Sequence, residues 1–149
     1  MGSGYQEYKG LFVGALDGVR VVDVGLLVQG PQAGQTLSDL GAEVIKVELP
    51  GMGDQARWIP LSATDLRAPF FEACNRGKRS MTLDLRTSDG GKVFRKLVDT
   101  SDVLLANFKP GTLDAWGFDY ETLSSTNPGL VYCLLYTSPS PRDQRGSRN

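Results

Sequence analysis

Histidine is absent from all 149 residues, so the commonest general base is missing and no Ser-His-Asp or Cys-His mechanism can be assembled. Only two cysteines occur, Cys74 and Cys133, far apart and outside any CxxC pattern. Zinc and dithiol chemistry are therefore poorly supported, and two buried free thiols are expected. No apolar run approaches the roughly 20 residues of a membrane helix, and the opening Met1-Gly2-Ser3-Gly4-Tyr5-Gln6-Glu7 lacks the basic-then-apolar layout of a signal peptide. A cytoplasmic protein without a membrane partner is the resulting expectation. Neither sign of charge dominates: 16 basic and 17 acidic residues are spread along the chain, which gives no electrostatic case for nucleic acid. Any catalysis would run on carboxylates, lysines or tyrosines, without a metal.

What is present fits a globular α/β domain. The hydrophobic fraction is 40% and the charged fraction 22%, enough for one buried core. Residues 18–24 are short and rich in valine, the mark of a buried strand ending near Leu27. Residues 30–41 place Pro31 at a helix start, leucines three apart and Gly41 at the stop. Residues 42–48 alternate as a second strand, completing a strand-helix-strand unit with short connections and hence a right-handed parallel crossover. Residues 51–68 have no clean period. A short helix over 69–74, a strand over 80–85, a Thr87-capped amphipathic helix to Val98 and a strand over 103–108 follow. Two short helical pieces, the turn Asn127-Pro128-Gly129 and a last strand over 130–135 close the pattern. The alternation predicts a Rossmann-like α/β fold, a mostly parallel sheet with flanking helices.

Nucleotide fingerprints are missing from that sheet. No GxGxxG follows the first strand and no GxxxxGK[ST] occurs; residues 77–80 carry only the end of a P-loop pattern, before a strand. Three other segments can meet a ligand. Residues 27–31 sit at the carboxyl end of a strand, where open α/β sheets bind ligands, although spacing alone favours a tight turn with a helix-starting proline. Residues 75–80 bring three cations and an amide, suited to a phosphate or carboxylate, or simply a solvated loop. Asn107-Phe108-Lys109 offers an amide, an aromatic face and a cation, which could hold a purine and its phosphates.

In their order and spacing these segments resemble one family: GVRVVD (18–23), GP (30–31), DLGAEVIKVE (39–48), GMGD (51–54), NRGKRS (75–80), LDLRT (83–87), NFKPG (107–111) and NPGLVY (127–132). Together they look like the N-terminal signature of family III CoA-transferases, which include formyl-CoA transferase, carnitine and bile-acid CoA-transferases and α-methylacyl-CoA racemase. The resemblance implies a half-domain that binds coenzyme A as substrate, in a parent enzyme acting on an acyl-CoA and a carboxylic acid and forming an interlocked homodimer. It places CoA contacts at Val28 and Gln29, at Leu83, Asp84, Leu85 and Arg86, and at Asn107, Phe108 and Lys109. This sequence departs from some members at Ala115, where they carry arginine, and at Ala106, where glutamate is common.

In the transferases the resemblance further implies an aspartate that attacks the acyl-CoA carbonyl. It would lie well beyond the 127–132 segment, and after Cys133 the sequence no longer follows the family. No residue present is therefore assigned catalysis; Asp23, Asp54 and Asp84 are read as structural or peripheral. The expected organisation is a partly disordered leader over 1–15, the CoA-binding part over 16–135, and a disordered tail over 136–149. That tail resembles translated sequencing-adapter sequence, with a natural Ser/Pro/Arg linker as the other reading. A racemase of the same family, or a non-catalytic nucleotide-binding module, are the rival functions.

Overall fold

The computed structural model describes residues 14–60, 62, 64 and 68–135; most of the expected leader and all of the tail over 136–149 lie outside them. Five strands, β1 (Arg20–Asp23), β2 (Glu43–Glu48), β3 (Arg79–Thr82), β4 (Val103–Ala106) and β5 (Val131–Leu134), form one sheet in the order β3-β2-β1-β4-β5. Every pairing is parallel. The chain starts at the central strand, builds outward to one edge, then crosses back and builds to the other, so the direction of winding reverses between β1 and β4.

Both faces are covered, which is why β4 and the Val21–Val22 centre of β1 read as apolar without polar alternation. Val21, Val44 and Leu105 point to one face, where α1 (Gln29–Asp39) packs through Ala33 and Leu37. Val22, Leu104 and Ala106 point to the other and meet Phe94 and Val98 of α3 (Ser88–Asp99). The outer helix α2 (Pro69–Asn75) leans on α1, and α5 (Tyr120–Ser124) on α3. The four-residue α4 (Thr112–Ala115) contributes Leu113 to the larger core.

Side-chain caps start two of the helices, the one at Thr87 as expected. Thr87 Oγ1 accepts from Gly90 N at 3.1 Å and starts α3, and Asp119 Oδ1 accepts from Thr122 N at 2.8 Å and starts α5. Strand ends differ from the sequence reading. The strand expected over 80–85 stops at Thr82, because its neighbour β2 ends at Glu48, the partner of Thr82. Leu83–Arg86 thereby leave the sheet. The strand expected over 103–108 likewise stops at Ala106, releasing Asn107 and Phe108. The stretch without a period contains a 3-10 turn, Gln55–Trp58, started by Asp54. Cys74 is buried as expected, whereas Cys133 is only half-buried, since β5 is an edge strand.

Candidate functional site

The site grows from the loop after β1, at the point where the winding reverses and the carboxyl ends of β1 and β4 diverge. Side chains from distant segments fix this loop. Asn107, just past β4, accepts from Leu26 N and donates to Leu26 O, each at 2.8 Å. Asp54 Oδ1 accepts from Leu27 N at 2.9 Å and from Ala56 N at 2.9 Å. Asp23 Oδ1 accepts from Gly25 N at 2.8 Å, and Lys46 Nζ donates to Gly25 O at 2.7 Å. Leu27 sits at φ 63°, the one non-glycine with positive φ among the described residues. A left-handed leucine costs roughly 1–2 kcal/mol, and such strain persists where surrounding bonds over-determine the conformation.

Two ion pairs lie beneath the loop. Lys78 Nζ is 2.7 Å from Asp23 Oδ2 and also donates to Pro31 O and Asn75 Oδ1. Lys46 Nζ is 2.9 Å from Asp54 Oδ2. All four side chains are almost fully buried, at 2% exposure or less. Burial is the largest influence on Lys78 and pushes its ammonium below the ordinary lysine value, against the pull of Asp23. Gly34 makes room for the first pair: a Cβ there would stand 2.9 Å from Asp23 Oδ2 and 3.2 Å from Lys78 Nζ. Nearby, burial works to raise Glu48, but hydrogen bonds from Arg57 and from Asp54 N outweigh it and hold the carboxyl below its usual value.

These pairs account for the cationic segment 75–80. Lys78 is turned inward, Arg76 is 2.6 Å from Asp39 and Arg79 is 2.5 Å from Glu43. None of the three lines the main cleft: Lys78 is buried in the fold, while Arg76 and Arg79 are exposed and pair with carboxylates at the surface.

Above the loop lies a cleft of about 260 Å³ walled by Val24, Val47, Leu83, Leu85, Phe108 and Trp116. Of the nine residues expected at a CoA site, Leu83, Asp84, Leu85, Arg86 and Phe108 line it. The release of Leu83–Arg86 and Phe108 from the sheet is what puts them there. Asn107 is beside the cleft but its amide grips Leu26. Val28 and Gln29 begin α1 and are exposed, as is Lys109 past the cleft. Arg86 forms a two-pronged pair with Asp84, both contacts 2.8 Å. Those hydrogen bonds bring the Asp84 carboxyl down to about 2, so it stays ionised. Sequence reading missed Trp116, whose ring stands edge-on to Phe108 at 5.6 Å, and Val24 and Leu26 at the floor. Only the aromatic character of residue 116, eight positions after Phe108, hinted at it.

A parallel sheet wound out from its centre, with an apolar, aromatic-walled cleft at the reversal, defines a Rossmann-like α/β domain. The CoA-transferase family III profile matches residues 16–146, and the chain belongs to that family. It is 46% identical over 126 residues to the succinate–glutarate CoA-transferase of Agrobacterium fabrum, covering 80% of this chain and 32% of that protein. It is also 46% identical over 116 residues to the succinyl-CoA–D-citramalate CoA-transferase of Chloroflexus aurantiacus, covering 78% and 29%. Among solved structures, Rv3272 from Mycobacterium tuberculosis superposes with a TM-score of 0.78 at 44% identity, over 89% of this chain and 37% of that one. A CAIB/BAIF family protein from Brucella suis gives 0.73 at 49% identity, over 81% and 33%. The chain thus spans about a third of the length of the curated relatives it matches.

Proposed function

We propose that residues 16–135 form the CoA-binding part of a cytoplasmic CoA-transferase that moves coenzyme A between an acyl-CoA and a carboxylic acid, acting as an interlocked homodimer. The observation that carries this reading is the convergence of two segments, 83–86 and the one that contributes Phe108, on one cleft at the winding reversal. Both were singled out from sequence, one beside each half of the sheet.

The cleft suits the ligand. Its apolar wall and the Phe108–Trp116 pair favour a purine or an uncharged arm, and Arg86 stands at its edge to meet a phosphate. Both carboxylates among the described residues that line this cleft are paired: Asp84 with Arg86 and Glu48 with Arg57. In this reading the aspartate that attacks the acyl-CoA lies outside the 149 residues, and the part present binds and orients CoA.

Calorimetry with CoA on the 149-residue chain tests the proposal. Saturable binding is expected, weakened about tenfold by Arg86→Ala, the worth of one charge-assisted contact. Absence of heat with the wild-type chain would remove CoA binding from these residues.

A further inference from the structure

The two edges of the sheet are unlike. At one edge β3 presents Arg79, Ser80 and Thr82, and Arg79 is exposed and ion-paired, the polar blunting that keeps an edge strand from pairing further. At the other, β5 reads Val-Tyr-Cys-Leu and carries no charge. Val131 is 58% exposed and Leu134 37%, an apolar edge of the kind that recruits another strand.

Pairing with β4 sets which backbone groups of β5 are used. Val131 N donates to Asp102 O at 2.8 Å and Leu135 N to Ala106 O at 2.7 Å, with Cys133 in register with Leu105 between them. Backbone groups alternate in direction along a strand. Val131, Cys133 and Leu135 therefore turn N–H and C=O inward to β4, while Tyr132 and Leu134 turn theirs outward, where no described residue pairs with them.

Two such edges fit one another about a two-fold axis. In antiparallel apposition centred on Cys133, Tyr132 of one copy faces Leu134 of the other, the two exchange both backbone hydrogen bonds, and the axis repeats the exchange. Cys133 then faces its own counterpart in the non-hydrogen-bonded position, with Cα atoms about 4.5 Å apart. The side chains agree with the backbone. Leu134 meets Tyr132, whose ring already stands edge-on to the exposed Tyr120 at 6.1 Å, and Val131 meets Leu135, which is half-buried on the opposite face. Charge agrees as well: Asp102 precedes β4 and Lys109 follows it, both exposed, so antiparallel apposition brings the acidic end of one copy toward the basic end of the other.

We propose that two copies of the 149-residue chain associate through β5, antiparallel about a two-fold axis at Cys133, to make one continuous sheet. This goes beyond the CoA reading and does not rest on it.

Light scattering during gel filtration, from micromolar to submillimolar protein, should give a mass that rises with concentration toward twice that of the monomer. Val131→Lys, an exposed change, should move the midpoint to about tenfold higher concentration or more, since it sets a charge in apolar contact. Leu134→Pro removes an outward N–H and no bond to β4, and should act likewise with far-ultraviolet circular dichroism unchanged. The chain has two cysteines, so Cys74→Ser leaves Cys133 as the single thiol. Oxidised glutathione should then join the copies, two Cys133 thiols becoming one disulfide as the oxidant is reduced to two glutathiones. A strict monomer, the result if another part of the chain fills the edge, overturns the proposal. So do assemblies larger than two copies, a dimer unmoved by Val131→Lys, and a dimer whose Cys133 takes up glutathione without cross-linking.

Discussion

Asn107 holds the backbone of Leu26, 81 residues earlier, by both its N–H and its carbonyl, each bond 2.8 Å. One side-chain amide thus ties the end of β4 to the loop after β1, across the reversal where the cleft opens. Asn107→Ala removes both bonds and leaves part-buried backbone groups unpaired, at about 1–3 kcal/mol for each group that water cannot reach. A lower urea midpoint is expected, together with weaker CoA binding by calorimetry, although the side chain itself does not line the cleft.

Asp54 combines a backbone clasp with a charge, and two substitutions separate them. Asp54→Ala leaves Lys46 buried without its counter-ion, which costs about 3–5 kcal/mol. Asp54→Asn keeps an acceptor for Leu27 N and Ala56 N but loses the ion pair, so its denaturant midpoint should fall between wild type and alanine. Equal midpoints for the two variants would show that the charge alone matters.

Gly90 and Gly91 are adjacent in α3 yet predict opposite outcomes. A Cβ on Gly90 would collide with the backbone carbonyl of Asp84 and stand 2.7 Å from the capping Thr87 Oγ1. Gly90→Ala should therefore lower the melting temperature and disturb the Asp84–Arg86 turn. A Cβ on Gly91 meets Phe118 at 3.4 Å and Leu85 O at 3.9 Å, both ordinary contact distances. Gly91→Ala should raise stability by about 0.5–1 kcal/mol, the usual gain of alanine over glycine inside a helix.

Glu48 couples stability to acid. Its folded carboxyl is held below the ordinary value of 4.5 despite burial, so the unfolded chain takes up a proton first. Its contribution is fully present above about pH 4.5 and is lost as pH falls through the depressed folded value. Urea midpoints measured from neutral pH downward should decline, and Glu48→Gln should start lower and show a shallower decline.

Much of the fold was legible because local chemistry was unambiguous: the valines of β1, Gly41 just past α1, and Thr87 before α3 each act through neighbours in sequence, whereas α1 begins at Gln29, two residues before the expected start at Pro31. Strand ends were less legible. β3 ends at Thr82 because β2 has no residue beyond Glu48 to continue the pairing, a fact about another segment. Lys78 is another case: it looks like a surface charge until Asp23, 55 residues away, is seen to draw it inward.

Sequence by itself determined the α/β alternation, the family, and the candidate segments at 83–86 and 107–109, since short-range periodicity and motif order carry that information. Tertiary structure decided which of those residues face a common space. Leu83–Arg86 and Phe108 reach the cleft because their strands end early, Asn107 is diverted to hold Leu26, and Trp116 is brought in opposite Phe108. Strand pairing and the burial of charge depend on segments far apart in the chain, and only folding brings those together.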